Sequence, residues 1–110
     1  MPSSTIIKEE TRALLQYGKE NAVTGKELAK TMGLPNDRAV RQAIRELIAD
    51  RVPIASSVTP PYGYFITRNE EEATKYLAVL KSRLVEDAYR RRDFRLASRV
   101  ILDPYQMELL

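Results

Sequence analysis

Between Pro35 and Pro53 the chain carries one strongly patterned segment: Val40, Ile44, Leu47 and Ile48 recur at i, i+4, i+7 and i+8. That spacing puts four apolar side chains on one stripe of a helix and predicts a core-facing helix from about Asp37 to Asp50. Past Arg51 the period changes. Val52-Pro53-Ile54-Ala55-Ser56-Ser57-Val58 reads as a strand, which Pro53 restricts to a strand start or an edge. Thr59-Pro60-Pro61-Tyr62-Gly63 is a rigid turn, and Tyr64-Phe65-Ile66-Thr67 is a second strand rich in β-formers. A helix feeding a short hairpin is therefore the fixed point of the fold.

Upstream, Thr24-Gly25-Lys26-Glu27 matches a capping box and opens a short helix with Leu28, Ala29 and Met32 as its stripe, ending at Met32 and Gly33. Leu34-Pro35-Asn36 makes a tight connection, with Pro35 unable to continue a helix and Asn36 able to cap the next one. A first helix is expected from about Thr5 to Tyr17, with Ile6, Ile7, Ala13, Leu14 and Tyr17 sharing a face and Gly18 as its stop. Downstream, Asn69 precedes Glu70, Glu71 and Glu72, an N-cap with acids at the positive end of a helix dipole. That helix is expected to reach about Arg92, or Leu102 before Asp103-Pro104 stops it. Its apolar positions are Ala73, Tyr76, Leu77, Leu80, Leu84 and Ala88, then Leu96, Val100 and Ile101.

The expected class is mainly α with a small β-hairpin, followed by a long C-terminal helix. At 110 residues and 44% hydrophobic content the chain supports one modest core. A helix of over ~20 residues cannot bury its whole seam against so small a body, so Leu77, Leu80 and Leu84 are expected to pack on a second copy. The formal charge of +3 is carried entirely by residues 1–68, whereas 69–110 balance to zero. The division expected is 1–68 as one domain and 69–110 as a dimerisation or partner-docking element.

There is no histidine and no cysteine. Disulfides, thiolate zinc sites, a Cys nucleophile, the Ser-His arrangement and the commonest general base and metal ligand are thereby excluded. Glu70, Glu71 and Glu72 diverge around a helix, and capping explains them better than metal binding. No Gly-rich phosphate loop appears, so the expectation is no enzyme, no metal and no cofactor. No apolar run spans a bilayer and the N-terminus lacks the pattern of a secretory signal, which makes the cytoplasm the expected location.

The stretch Thr24 to Ile66 resembles winged helix-turn-helix DNA-binding domains, and among them the small modules of bacterial repressors, the N-terminal domain of biotin operon repressors and phage-encoded regulators. The residues that carry this are Thr24-Gly25-Lys26-Glu27-Leu28-Ala29, Gly33-Leu34, Val40-Arg41-Gln42-Ala43-Ile44-Arg45-Glu46-Leu47, Pro53-Ile54 and Tyr62-Gly63-Tyr64. The resemblance implies that the helix from Asp37 is the recognition helix and the hairpin its wing. Two positions depart from the pattern. Arg51 stands where such domains often have a glycine, which calls for an unusual backbone conformation. The wing tip, Thr59 to Tyr62, has no Lys or Arg for a minor-groove contact.

On a helical wheel Arg38, Arg41, Gln42 and Arg45 fall at i, i+3, i+4 and i+7, rotated away from the apolar stripe. Arg pairs bidentately with guanine and Gln with adenine in the major groove, so this face suits base reading; a solvated helix face is the alternative. Thr24 and Lys26 sit at the start of the second helix, where a phosphate would meet free N–H groups, although the capping box alone accounts for Thr24. Arg68 and Tyr62 flank the hairpin and are further candidates for backbone contact. Arg90, Arg91, Arg92, Arg95 and Arg99 lie within helical reach of Glu86, Asp87 and Asp93, and read as an ion-paired, solvated face. The function expected is sequence-specific binding of double-stranded DNA by a homodimer, in transcription regulation or a phage or plasmid DNA transaction. The alternative is a winged-helix adaptor that binds protein through the same arginines.

Overall fold

A computed structural model describes residues 3–101. The element order is α1 (Ser4–Leu14), a 3-10 turn (Lys19–Asn21), α2 (Gly25–Thr31), α3 (Arg38–Ala49), β1 (Ile54–Ser57), β2 (Gly63–Ile66), α4 (Glu70–Ala97) and a closing 3-10 turn (Ser98–Val100). The class is as expected: mainly helical, with a two-stranded antiparallel hairpin and a long C-terminal helix. Among the described residues no helix is long and apolar enough to cross a membrane.

The chain divides into two compact units, Met1–Tyr76 and Leu77–Leu110, with the division inside α4. In the first unit, Leu15, Leu28, Ala29, Val40, Ile44, Leu47, Ile54 and Ile66 form one buried cluster. Helix α3 supplies three of these, as its spacing requires. Ile48 does not join them and is 46% exposed; Ala43 is buried instead. Ile54 pairs with Ile66 across the hairpin, with Ala55 opposite Phe65 and Ser57 opposite Gly63.

Helix α1 is shorter than its sequence suggests. Ser3 accepts from the Ile6 N–H at its start, and Leu15 turns extended after Leu14, which drives the Leu15 side chain into the core. The face it buries is Ile7 and Thr11, while Ile6, Ala13 and Tyr17 stay exposed. Thr11 is fully buried because its hydroxyl donates to the Ile7 carbonyl at 2.7 Å, leaving no polar atom unpaired. On either side of the first 3-10 turn, residues 16–18 and Val23 then pair with the hairpin. Ile66 N–H donates to the Gln16 carbonyl (2.8 Å), Gly18 N–H to the Ile66 carbonyl (2.9 Å), and Val23 and Tyr64 exchange both bonds.

Helices α2 and α3 end in the same device. After α2, Gly33 N–H donates to Lys30 O and Leu34 N–H to Ala29 O; after α3, Arg51 N–H donates to Ile48 O and Val52 N–H to Leu47 O. Each is a Schellman cap. Its left-handed residue is Gly33 at φ +70° in one case and Arg51 at φ +75° in the other, the unusual conformation expected at Arg51.

Helix α4 begins at an Asn69 cap, whose Oδ1 accepts from Glu72 N–H at 3.0 Å. With 28 residues it is about 42 Å long, longer than the expected stop at Arg92, and none of its residues is buried. The alternative stop at Leu102 and Asp103-Pro104 lies outside the described residues.

Candidate nucleic-acid interface

The face of α3 opposite the core is built by exclusion. Once Val40, Ala43, Ile44 and Leu47 are buried, the helix period leaves Arg38, Arg41, Gln42 and Arg45 in solvent. Asn36 orients the first turn by accepting the Arg38 N–H at 3.0 Å. Asp37, at the N-cap position, makes no side-chain capping bond.

The four side chains are not equivalent. Arg41 is paired with Asp37 one turn back, at 3.4 Å. Arg45 donates to the Gln42 side-chain carbonyl, and the Gln42 amide donates to Glu46 at 3.3 Å. Arg38 forms no ion pair with a described residue. Arg38, Gln42 and Arg45 line an open groove of ≈ 510 Å³ together with Ala39 and with Leu34, Pro35 and Asn36 of the α2–α3 turn. Arg41 stands outside that groove.

At the start of α2, Thr24 Oγ1 accepts from the Glu27 N–H (3.1 Å) and its hydroxyl donates to the Glu27 carboxylate (3.3 Å). Lys26 is exposed in the first turn and makes no ion pair with a described residue. Asp37 approaches this terminus from α3: a Cβ on Gly25 would lie 3.1 Å from Asp37 Oδ2, so glycine makes room for the carboxylate.

The hairpin tip carries Tyr62, 58% exposed, next to a cis Pro60–Pro61 bond. The tip has no cation of its own, but Lys19 reaches it from the first 3-10 turn and donates to Thr59 Oγ1 at 2.5 Å. No local pattern in the sequence pointed to Lys19, since 40 residues separate the partners.

Arg68 sits in an acidic cluster. Its guanidinium takes both oxygens of Glu20, at 2.5 and 3.3 Å, and lies 3.7 Å from Glu72. Glu72 in turn accepts the backbone N–H of Arg68 (2.7 Å) and of Lys19 (3.1 Å). These two N–H donors, helped by the Arg68 charge, hold the Glu72 carboxyl below its ordinary value. Arg68 is thus committed to fastening the first turn of α4 to the 3-10 turn.

Leu77, Leu80 and Leu84 are 64%, 42% and 72% exposed on α4. Further along, Arg90 pairs with Asp87 and Arg92 with Asp93, as expected, and Arg92 also lies over the Tyr89 ring at 4.9 Å. Among the described residues no group of acidic side chains is arranged to hold a metal. Comparison with known protein families, curated proteins and solved structures finds no match.

Proposed function

We propose that this chain is a winged helix-turn-helix protein that binds double-stranded DNA in a sequence-dependent manner, as a homodimer, in transcription regulation or a phage or plasmid DNA transaction. One observation carries the reading: α3 locks one side into the core and turns Arg38, Arg41, Gln42 and Arg45 outward on the other. A helix so anchored enters a major groove as a rigid body, where Arg38 meets guanine O6 and N7 while Arg41, paired with Asp37, faces phosphate. Lys26 at the start of α2 and Tyr62 with Lys19 at the hairpin tip serve the phosphates on either side. Arg68 contributes least, because it would have to leave Glu20 and Glu72.

Leu77, Leu80 and Leu84, uncovered within the chain, form the dimer seam. Two copies then present two α3 helices to half-sites about 34 Å apart, or a multiple of that. The adaptor reading draws on the hairpin tip, which lacks Lys and Arg, and on the acids already paired to Arg41 and Arg68.

Fluorescence anisotropy on a 30-base-pair duplex, titrated with salt, separates the two. The expected result is a log–log slope of several units, at about −0.9 per phosphate neutralised. Absence of binding at low salt refutes DNA binding and assigns the α3 face to an acidic protein partner. Light scattering reads the dimer, which Leu80→Glu should convert to monomer; a concentration-independent monomer before mutation refutes it.

A further inference from the structure

The groove beside α3 has a feature that phosphate binding leaves unexplained. The apolar part of its lining, its floor, is Leu34, Pro35 and Ala39, three side chains that offer only carbon, and the polar part, its rim, is Asn36, Arg38, Gln42 and Arg45. Leu34 is held there by the cap that closes α2, its N–H already donated to Ala29 O, and Pro35 has no N–H to give. A phosphate oxygen set against these three side chains would lose water and gain no donor from them. The two guanidiniums at the rim equally disfavour an uncharged peptide and select a polyanion.

A surface that is cationic at its rim and carbon at its floor matches one feature of duplex DNA. The 5-methyl group of thymine is the apolar element of a base-pair edge in the major groove, and alanine is among the side chains that meet it. Guanine O6 and N7 are the partners of an unencumbered guanidinium. Among the rim residues that guanidinium is Arg38, since Arg45 is held by Gln42.

The geometry points to a thymine methyl seated on the Leu34–Pro35–Ala39 floor, with Arg38 pairing to a guanine beside it. This rests on the DNA-binding reading above and adds the identity of the base. Ala39 is the specificity determinant: a larger or polar side chain there closes or wets the floor without touching the buried stripe.

The test starts from a duplex selected out of random sequence by the intact protein. Each thymine of the selected site is replaced in turn by deoxyuridine, which removes the methyl and nothing else. One thymine per half-site, adjacent to a guanine, should weaken binding about fourfold when demethylated, the scale of one buried methyl group. In Ala39→Ser the same replacement should cost less than twofold, with the salt slope retained and folding checked by circular dichroism. Pro35→Ser repeats the test from the turn, should Ala39→Ser fail to fold. Steep salt-dependent binding in which no deoxyuridine matters overturns the thymine assignment and leaves DNA binding standing. A methyl effect that survives both variants places the methyl on another surface and overturns it too. No DNA binding at all refutes both readings.

Discussion

Replacing Gly63 by alanine tests the part of the fold that joins the hairpin to the start of α2. Gly63 has φ +125°, a conformation that strains an L side chain by about 1 kcal/mol or more. A Cβ added there would lie 2.2 Å from both the carbonyl carbon and oxygen of Val23 and 2.6 Å from the Thr24 nitrogen. These are backbone atoms, so no rotamer relieves the contact. Val23 must move, and it is held by two bonds to Tyr64, Val23 N–H to Tyr64 O at 3.0 Å and Tyr64 N–H to Val23 O at 2.6 Å. Losing both costs about 2 kcal/mol at ~1 kcal/mol each. The expected loss is therefore about 3–4 kcal/mol. For a unit of 76 residues the total stability is roughly 4–11 kcal/mol, so the variant should be partly unfolded at 25 °C or nearly so. Urea unfolding followed by far-ultraviolet circular dichroism should place its midpoint about 2–3 M lower. A loss below about 1 kcal/mol would refute the claim that the Val23–Gly63 approach holds the hairpin in place.

Arg51→Gly relieves the left-handed residue of the second Schellman cap while keeping its N–H donor; stability should rise by about 0.5–1 kcal/mol, and a fall in melting temperature would contradict the strain. Arg38→Ala should cost ~1–3 kcal/mol of DNA affinity and relax preference at one base pair, whereas Arg41→Ala should weaken all sequences alike; anisotropy on substituted duplexes distinguishes the two, and equal, sequence-blind losses would refute the distinction. Asp37→Asn releases Arg41 and removes a negative charge, so affinity at low salt should rise about threefold to tenfold; an unchanged affinity would show that Asp37 does not face the phosphates. Because the Glu72 carboxyl is lowered in the folded chain, it adds stability above its unfolded value of about 4.5 that is lost as pH falls through the folded value. Glu72→Gln should flatten the stability profile below about pH 4.5; a profile as steep as that of the unaltered chain would refute the role.

What was legible follows from how local each signal is. Helix α3 could be read because its stripe and both its ends lie within 18 residues of chain, and Thr24 and Asn69 could be read as caps because their partners are three residues away. The β-bridges on either side of the first 3-10 turn, Tyr17 to Ile66 and Val23 to Tyr64, could not, because their partners in β2 lie about 40–50 residues later, and neither Tyr17 nor Val23 sits in an alternating run. Thr11 is absent from the apolar face expected of α1 for a related reason: its hydroxyl is satisfied inside the helix, so a polar residue behaves as core. In the candidate interface the wheel found the exposed face of α3 but not the state of its arginines. The Asp37–Arg41 pair was within reach of the i, i+4 rule. The Glu20–Arg68 pair, 48 residues apart, was not.

Asp37 ties these pieces together. It is an acid placed on the cationic face, against Arg41 on one side and against Gly25, at the N-terminus of α2, on the other. Both are places where a phosphate would otherwise bind: a guanidinium, and the first free N–H groups of a helix. With Asp37 there, a phosphate would gain Arg41 and the α2 terminus only by displacing a carboxylate, so on the proposed reading the sequence-independent part of binding is held down. Arg38 and the carbon floor beside it carry no such competitor among the described residues. With a charge excess of only +3 over residues 1–68, this face has little electrostatic attraction to spare. On the DNA-binding reading proposed above, an acid beside Arg41 shifts the balance of that attraction from phosphates toward base edges, which is the distribution that sequence discrimination requires.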